Sequence, residues 1–131
     1  MKVVIIGGVA GGASAAARLR RLDESAEIVM LERTGYVSYA NCGLPYYVGG
    51  VIADRAELTL QTPERFRERF NIDVRVGSEV TAINREAKTV SVREAETGRI
   101  YEEPYDKLIL APGAAPVVPA AVSLDSLRVF T

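Results

Sequence analysis

Lys2-Val3-Val4-Ile5-Ile6-Gly7-Gly8-Val9-Ala10-Gly11-Gly12 decides how the rest of the chain is read. Lys2 to Ile6 is short, apolar and β-branched, the pattern of a strand buried on both faces of a parallel sheet. Glycines follow at once. Ala13 to Leu22, rich in Ala, Leu and Arg, predicts a helix. Ile28 to Leu31 predicts a second buried strand, ending at Glu32. Strand, glycine turn, helix, strand and acid, in that order, make a dinucleotide-binding βαβ unit. Gly7 lets the chain turn sharply from strand into helix. The first amides of that helix have no internal partners, and its dipole adds positive potential; a diphosphate answers both. Gly12 lacks a Cβ and lets the helix pack close to the first strand. Glu32, about twenty residues further on, can accept hydrogen bonds from a ribose diol. The second glycine of G-x-G-x-x-G falls on Val9, with Gly8 and Gly11 beside it to relieve crowding. The bland alternative, a glycine turn without a ligand, leaves the second strand and its acid unexplained.

The chain has 131 residues, 48% of them hydrophobic, which suits one domain with a core of its own. Its net charge of −1 offers no electrostatic footprint for nucleic acid. No apolar run approaches a membrane span, and the amino-terminal strand is needed for the fold, which argues against a secretory signal. A single cysteine excludes an intramolecular disulfide and points to a reducing, cytoplasmic setting. Histidine is absent, which removes histidine-based triads and histidine metal sites; no metal site is expected.

Ser14, Arg18 and Arg21 share one stripe of the first helix, and Leu19 and Leu22 share another that suits the core. The stripe could hold a phosphate-bearing substrate, or it is an ordinary solvated face. Asn41 to Val48 predicts a short helix with Asn41 as its cap and Gly49-Gly50 as its stop. Cys42 would then lie at a helix start, where open amides favour a reactive thiolate; alternatively it is a small buried hydrophobe. Pro63 to Phe70 predicts a helix capped by Thr62. Ile72 to Val76 predicts a third strand. Glu79 to Asn84, Thr89 to Glu94 and Arg99 to Glu103 predict a three-stranded β-meander. Lys107 to Ala111 predicts another buried strand, stopped by Pro112-Gly113. Residues 1–113 form the nucleotide-binding part, and residues 114–131, opened by small residues and prolines, read as a linker.

These motifs together resemble the amino-terminal part of a flavin-dependent pyridine nucleotide-disulfide oxidoreductase. Within that superfamily the chain is most similar to the single-cysteine branch of coenzyme A-disulfide reductases, NADH oxidases and polysulfide reductases. Val4 to Ala13 resembles the branch's variant fingerprint, including Val9 at the middle position. Arg20-Arg21-Leu22-Asp23 resembles the end of its first helix. Ser38-Tyr39-Ala40-Asn41-Cys42-Gly43-Leu44-Pro45-Tyr46 resembles its redox motif, with Tyr39 in place of a more usual Phe. Tyr105 to Gly113 resembles its second flavin motif.

The resemblance implies an α/β fold, a Rossmann-like parallel sheet with a β-meander, as part of an FAD/NAD(P)-binding domain. It implies FAD at Gly7, Gly8, Val9, Ala10, Gly11 and Gly12, with Glu32 on the adenosine ribose, Arg33 beside it and Val80 near the adenine. Ala111 and Gly113 would pass close to the flavin. Cys42 would be the redox thiol, reduced by NAD(P)H through the flavin, and Ser38 and Asn41 would hold a substrate beside it. The substrate would be coenzyme A disulfide, or a persulfide or polysulfide; coenzyme A would give Ser14, Arg18 and Arg21 phosphates to bind. Family members are several times longer, so the chain reads as a fragment of a cytoplasmic homodimer. Alone it is expected to show no turnover and to retain FAD weakly or not at all. The competing readings are an NADH oxidase or peroxidase that cycles through a cysteine sulfenic acid, and a nucleotide-binding module without catalysis.

Overall fold

The computed structural model describes residues 1–115 together with Val117 and Pro119, so most of the linker read over residues 114–131 lies outside the described residues. Four parallel strands form one sheet: β1 (Lys2–Ile6), β2 (Glu27–Leu31), β3 (Asp73–Arg75) and β7 (Lys107–Leu110), in the order β3-β2-β1-β7. Val4 pairs with Val29 on one side and with Leu108 on the other. The meander, β4 (Ser78–Asn84), β5 (Thr89–Glu94) and β6 (Ile100–Pro104), is a separate antiparallel sheet. A register shift interrupts β4 between Val80 and Ala82.

Side chains alternate across β1, and each set meets its own core. Val3 and Ile5 pack with Ala13 and Ala16 of helix α1 (Ala10–Leu22) and Phe66 of helix α3 (Pro63–Phe70). Val4 points the other way and packs with Val29, Leu31, Val90 and Val92. The parallel sheet is thus covered by helices on one face and by the meander on the other. That double burial is why β1 and β2 read as continuous apolar runs.

Several boundaries differ from expectation. Helix α1 begins at Ala10, not Ala13, so Gly11 and Gly12 are helical despite their poor propensity. Close packing at Gly12 overrides that propensity. The Asn41–Val48 helix splits into a 3-10 turn, Asn41–Gly43, and helix α2, Leu44–Val48. Asn41 makes no capping side-chain hydrogen bond, because the turn begins with it rather than after it. Cys42 therefore precedes the first residue of α2. Leu19 packs against the core as expected, but Leu22 is 67% exposed and Arg20, 9% exposed, is buried instead. Arg20 donates to the backbone carbonyls of Asp23, Glu24, Phe70 and Asn71, at 2.6–3.2 Å, and so ties the end of α1 to the end of α3. Thr62 caps α3 as expected, accepting from the Arg65 amide.

Candidate functional site

The glycine turn is shaped by contacts that tolerate no side chain. Gly7 adopts φ +96, and a Cβ there would lie 2.0 Å from the carbonyl oxygen of Ala111. A Cβ on Gly12 would lie 1.8 Å from the carbonyl oxygen of Gly7. The turn is thereby pressed between β7 and α1. Val9 leads into α1 with no side-chain cap, and the first turn of the helix carries no acid. The opening amides of a 13-residue helix are left without a side-chain acceptor.

Glu32, at the end of β2, is 6% exposed. One carboxylate oxygen accepts from the Gly8 amide at 2.8 Å. The other accepts from the amide and hydroxyl of Thr34, each at 2.8 Å. These bonds take three of the roughly four acceptor sites of a carboxylate. Glu32 therefore first braces the glycine turn against the loop after β2, and keeps about one site for a ligand.

A cavity of about 350 Å³ opens above the turn. Val9, Glu32, Arg33, Asn41, Ala111 and Gly113 line it, bringing together six of the residues singled out from sequence. An adjoining hollow of about 150 Å³ shares Glu32, Arg33 and Pro112 with it. Gly7 and Val80 line that second hollow, with Ile6 and Leu31 as apolar neighbours. Gly8 is buried behind Glu32, while Ala10 and Gly11 are exposed on the first turn of α1.

The remaining residues divide. Ser38 adopts φ 49 and acts through its backbone: its amide donates to Gly8 O at 2.8 Å, and its carbonyl accepts from Leu60 at 3.1 Å. Ser38 thus joins the glycine turn to the cysteine loop. Cys42 is exposed and free, next in sequence to the cavity-lining Asn41. The thiol is therefore not sealed among aliphatic side chains. Ser14, Arg18 and Arg21 are all exposed along α1, and none lines the cavity. Tyr39 and Pro112, from the quoted redox and flavin motifs, also line it, and so do Thr34, Tyr36 and Arg55, which were not foreseen. Arg55 follows a readable turn signal at Asp54, but only the fold brings it to the glycine turn.

The model of the family described as pyridine nucleotide-disulphide oxidoreductase matches residues 1–129. The chain belongs to that family. Its members are enzymes that use FAD and a pyridine nucleotide. The coenzyme A disulfide reductase of Staphylococcus aureus strain Newman is 48% identical over 114 residues, 87% of this chain. The chain spans only 26% of that relative's length. The solved structure of reduced Bacillus anthracis CoADR-RHD aligns with a TM-score of 0.88 at 60% identity, over 91% of this chain and 21% of that one. A NAD-dependent persulfide reductase from A. fulgidus aligns with a TM-score of 0.88 at 42% identity, over 92% of this chain and 22% of that one. The expected α/β Rossmann-like fold and the expected superfamily are both found. Among the described residues, no helix is long and apolar enough to cross a membrane.

Proposed function

We propose that this chain is the FAD-cradling part of an NAD(P)H-dependent reductase acting on coenzyme A disulfide or a related persulfide, with Cys42 as its redox thiol. The observation that carries the reading is that Cys42 is exposed and free and follows directly on Asn41, which lines the cavity above the glycine turn. The residues fit the cofactor. The uncapped start of α1 suits a diphosphate. The smaller hollow, where Ile6, Leu31 and Val80 meet the polar Ser78 and Glu79, suits an adenine with its apolar faces and hydrogen-bonding edge. Glu32, held in place by Gly8 and Thr34, turns its remaining acceptor site to a ribose hydroxyl.

Bound FAD would supply a two-electron relay between the pyridine nucleotide and sulfur. The chain's own step is thiol-disulfide exchange. The Cys42 thiolate attacks one sulfur of the substrate, the substrate's S–S bond breaks, and the other half leaves as a thiolate. Asn41, exposed beside the thiol, is placed to orient that substrate. Ser14, Arg18 and Arg21 offer a hydroxyl and two cations to its phosphates. Among the described residues neither arginine pairs with a carboxylate, which leaves both free for that role. The reading extends to a cytoplasmic, homodimeric full-length enzyme with a small-molecule substrate, consistent with the single thiol and the net charge of −1.

The test is made on the full-length protein. Cys42→Ser should keep its flavin absorbance and lose NAD(P)H-dependent reduction of coenzyme A disulfide by a factor of about 100 or more. Mass spectrometry of the wild type should find a coenzyme A adduct on Cys42. Oxygen adducts alone would point to peroxide chemistry through a sulfenic acid. Undiminished turnover in Cys42→Ser would remove the thiol from the mechanism altogether.

A further inference from the structure

We propose that Arg55 is an anion-binding residue of the nucleotide cavity, held ready by Tyr36 to meet the diphosphate. This rests on the nucleotide reading above and adds to it a cation that no sequence motif marks. Two arginines, Arg33 and Arg55, line the cavity against a single carboxylate, Glu32. Both Glu32 oxygens already accept hydrogen bonds from the protein. The wall therefore carries a net positive charge and favours an anionic ligand. The order of subsites says which anion. The smaller hollow at Val80 and the larger cavity meet at Glu32 and Arg33. With the base in the hollow and the ribose at Glu32, the next groups along a nucleotide are its phosphates.

Arg55 is built to stay in place. It opens a 3-10 turn, Arg55–Leu58, whose cap Asp54 accepts from the Ala56 amide at 2.8 Å. Leu58 anchors the other end at 1% exposure, and its carbonyl accepts from the Ala40 amide at 2.8 Å. The guanidinium lies over the Tyr36 ring, 5.7 Å from its centroid, and one nitrogen reaches the Tyr36 hydroxyl at 3.4 Å. The cation–π contact and the single bond to the hydroxyl leave most of its five donors unused. Those donors are what bind phosphate oxygens bidentately. No carboxylate among the described residues pairs with Arg55.

The experiment titrates the full-length protein, stripped of flavin, with adenosine, ADP and FAD at up to millimolar concentration by calorimetry. Wild type, Arg55→Gln and Arg55→Lys are compared, with circular dichroism to confirm that each is folded. Wild type should bind ADP more tightly than adenosine. Arg55→Gln should weaken ADP by about tenfold and leave adenosine unchanged, while Arg55→Lys recovers part of the loss. If Arg55→Gln matches wild type for ADP, the inference fails and the nucleotide site stands. If adenosine and ADP weaken equally, Arg55 shapes the cavity and binds no anion, and the inference also fails. If wild type binds none of the three ligands, the nucleotide reading falls and takes this inference with it.

Discussion

A methyl group added at Gly12 and one added at Gly11 should have opposite consequences, although the residues are neighbours on one helix. At Gly12 it would sit 1.8 Å from the Gly7 carbonyl oxygen, which belongs to the turn itself and cannot move without undoing it. Gly12→Ala should cost roughly 3 kcal/mol or more in urea unfolding. At Gly11 the new atom meets only the Ala111 Cβ at 3.5 Å, an ordinary contact. Alanine is also better than glycine inside a helix by about 1 kcal/mol, so Gly11→Ala should be neutral to mildly stabilising. The same contrast explains what could be read in advance at this scale. Gly12 was legible because a short-range motif encodes its close approach. Arg20 was not, because its partners Phe70 and Asn71 come from a helix some fifty positions away. Arg20→Met leaves those carbonyls without a donor and should cost about 2–4 kcal/mol in the same unfolding measurement.

Between elements, the two sheets are joined by charge as well as by apolar contact. Glu103 of β6 is 6% exposed and pairs with Lys2 of β1, at 2.6 Å, and with Arg75 of β3. Arg75 also reaches Asp73 and the Tyr101 hydroxyl. Burial pushes the Glu103 carboxyl up, but hydrogen bonds from Lys2 and Arg75 and their charges outweigh it and hold the group below the usual carboxylate range. Its stabilising contribution is complete above the unfolded pKa, about 4.3 for glutamate, and is lost as pH falls through the lower folded value. Glu103→Gln should destabilise the chain by about 1–3 kcal/mol at neutral pH. Denaturant midpoints taken between neutrality and pH 3 should fall less steeply in the variant than in wild type. The strands that carry these groups were legible to within a residue or two, because each is bounded by turn residues and alternates or runs apolar. The network was not legible, since the facing of β6 toward β1 and β3 is a matter of topology. The site divides in the same way. Val9, Glu32, Val80 and Gly113 sit in local patterns, whereas Tyr36 and Arg55 reach the cavity only because the loop folds back through the Tyr39–Thr59 bridge. Asn41 shows the limit of local signals, because the residue that would cap a helix opens a 3-10 turn instead.

Over the whole molecule, protection is distributed unevenly. Val4, Ile5 and Met30 are fully buried between the two covering layers. From residue 41 to residue 60 only Gly43 and Leu58 are buried, and Val48 and Val51 are 83% and 76% exposed. Native-state hydrogen exchange should find the β1 and β2 amides opening only with global unfolding, and those of Tyr46 to Val51 exchanging orders of magnitude faster. Residues 44–51, just after the thiol, are thus loosely held, while β1 and β2 beneath the site are firmly packed. The sheet order β3-β2-β1-β7 has one more effect. The first strand, β1, lies beside β7, the last of the described strands, and the bond from the Lys2 amide to Asp106 spans 104 positions. On the ribosome, β1 has to wait with one edge bare until Lys107 to Leu110 have emerged. Such an edge is the kind that recruits stray strands, so the growing polypeptide gains from a chaperone until β7 covers that side of β1.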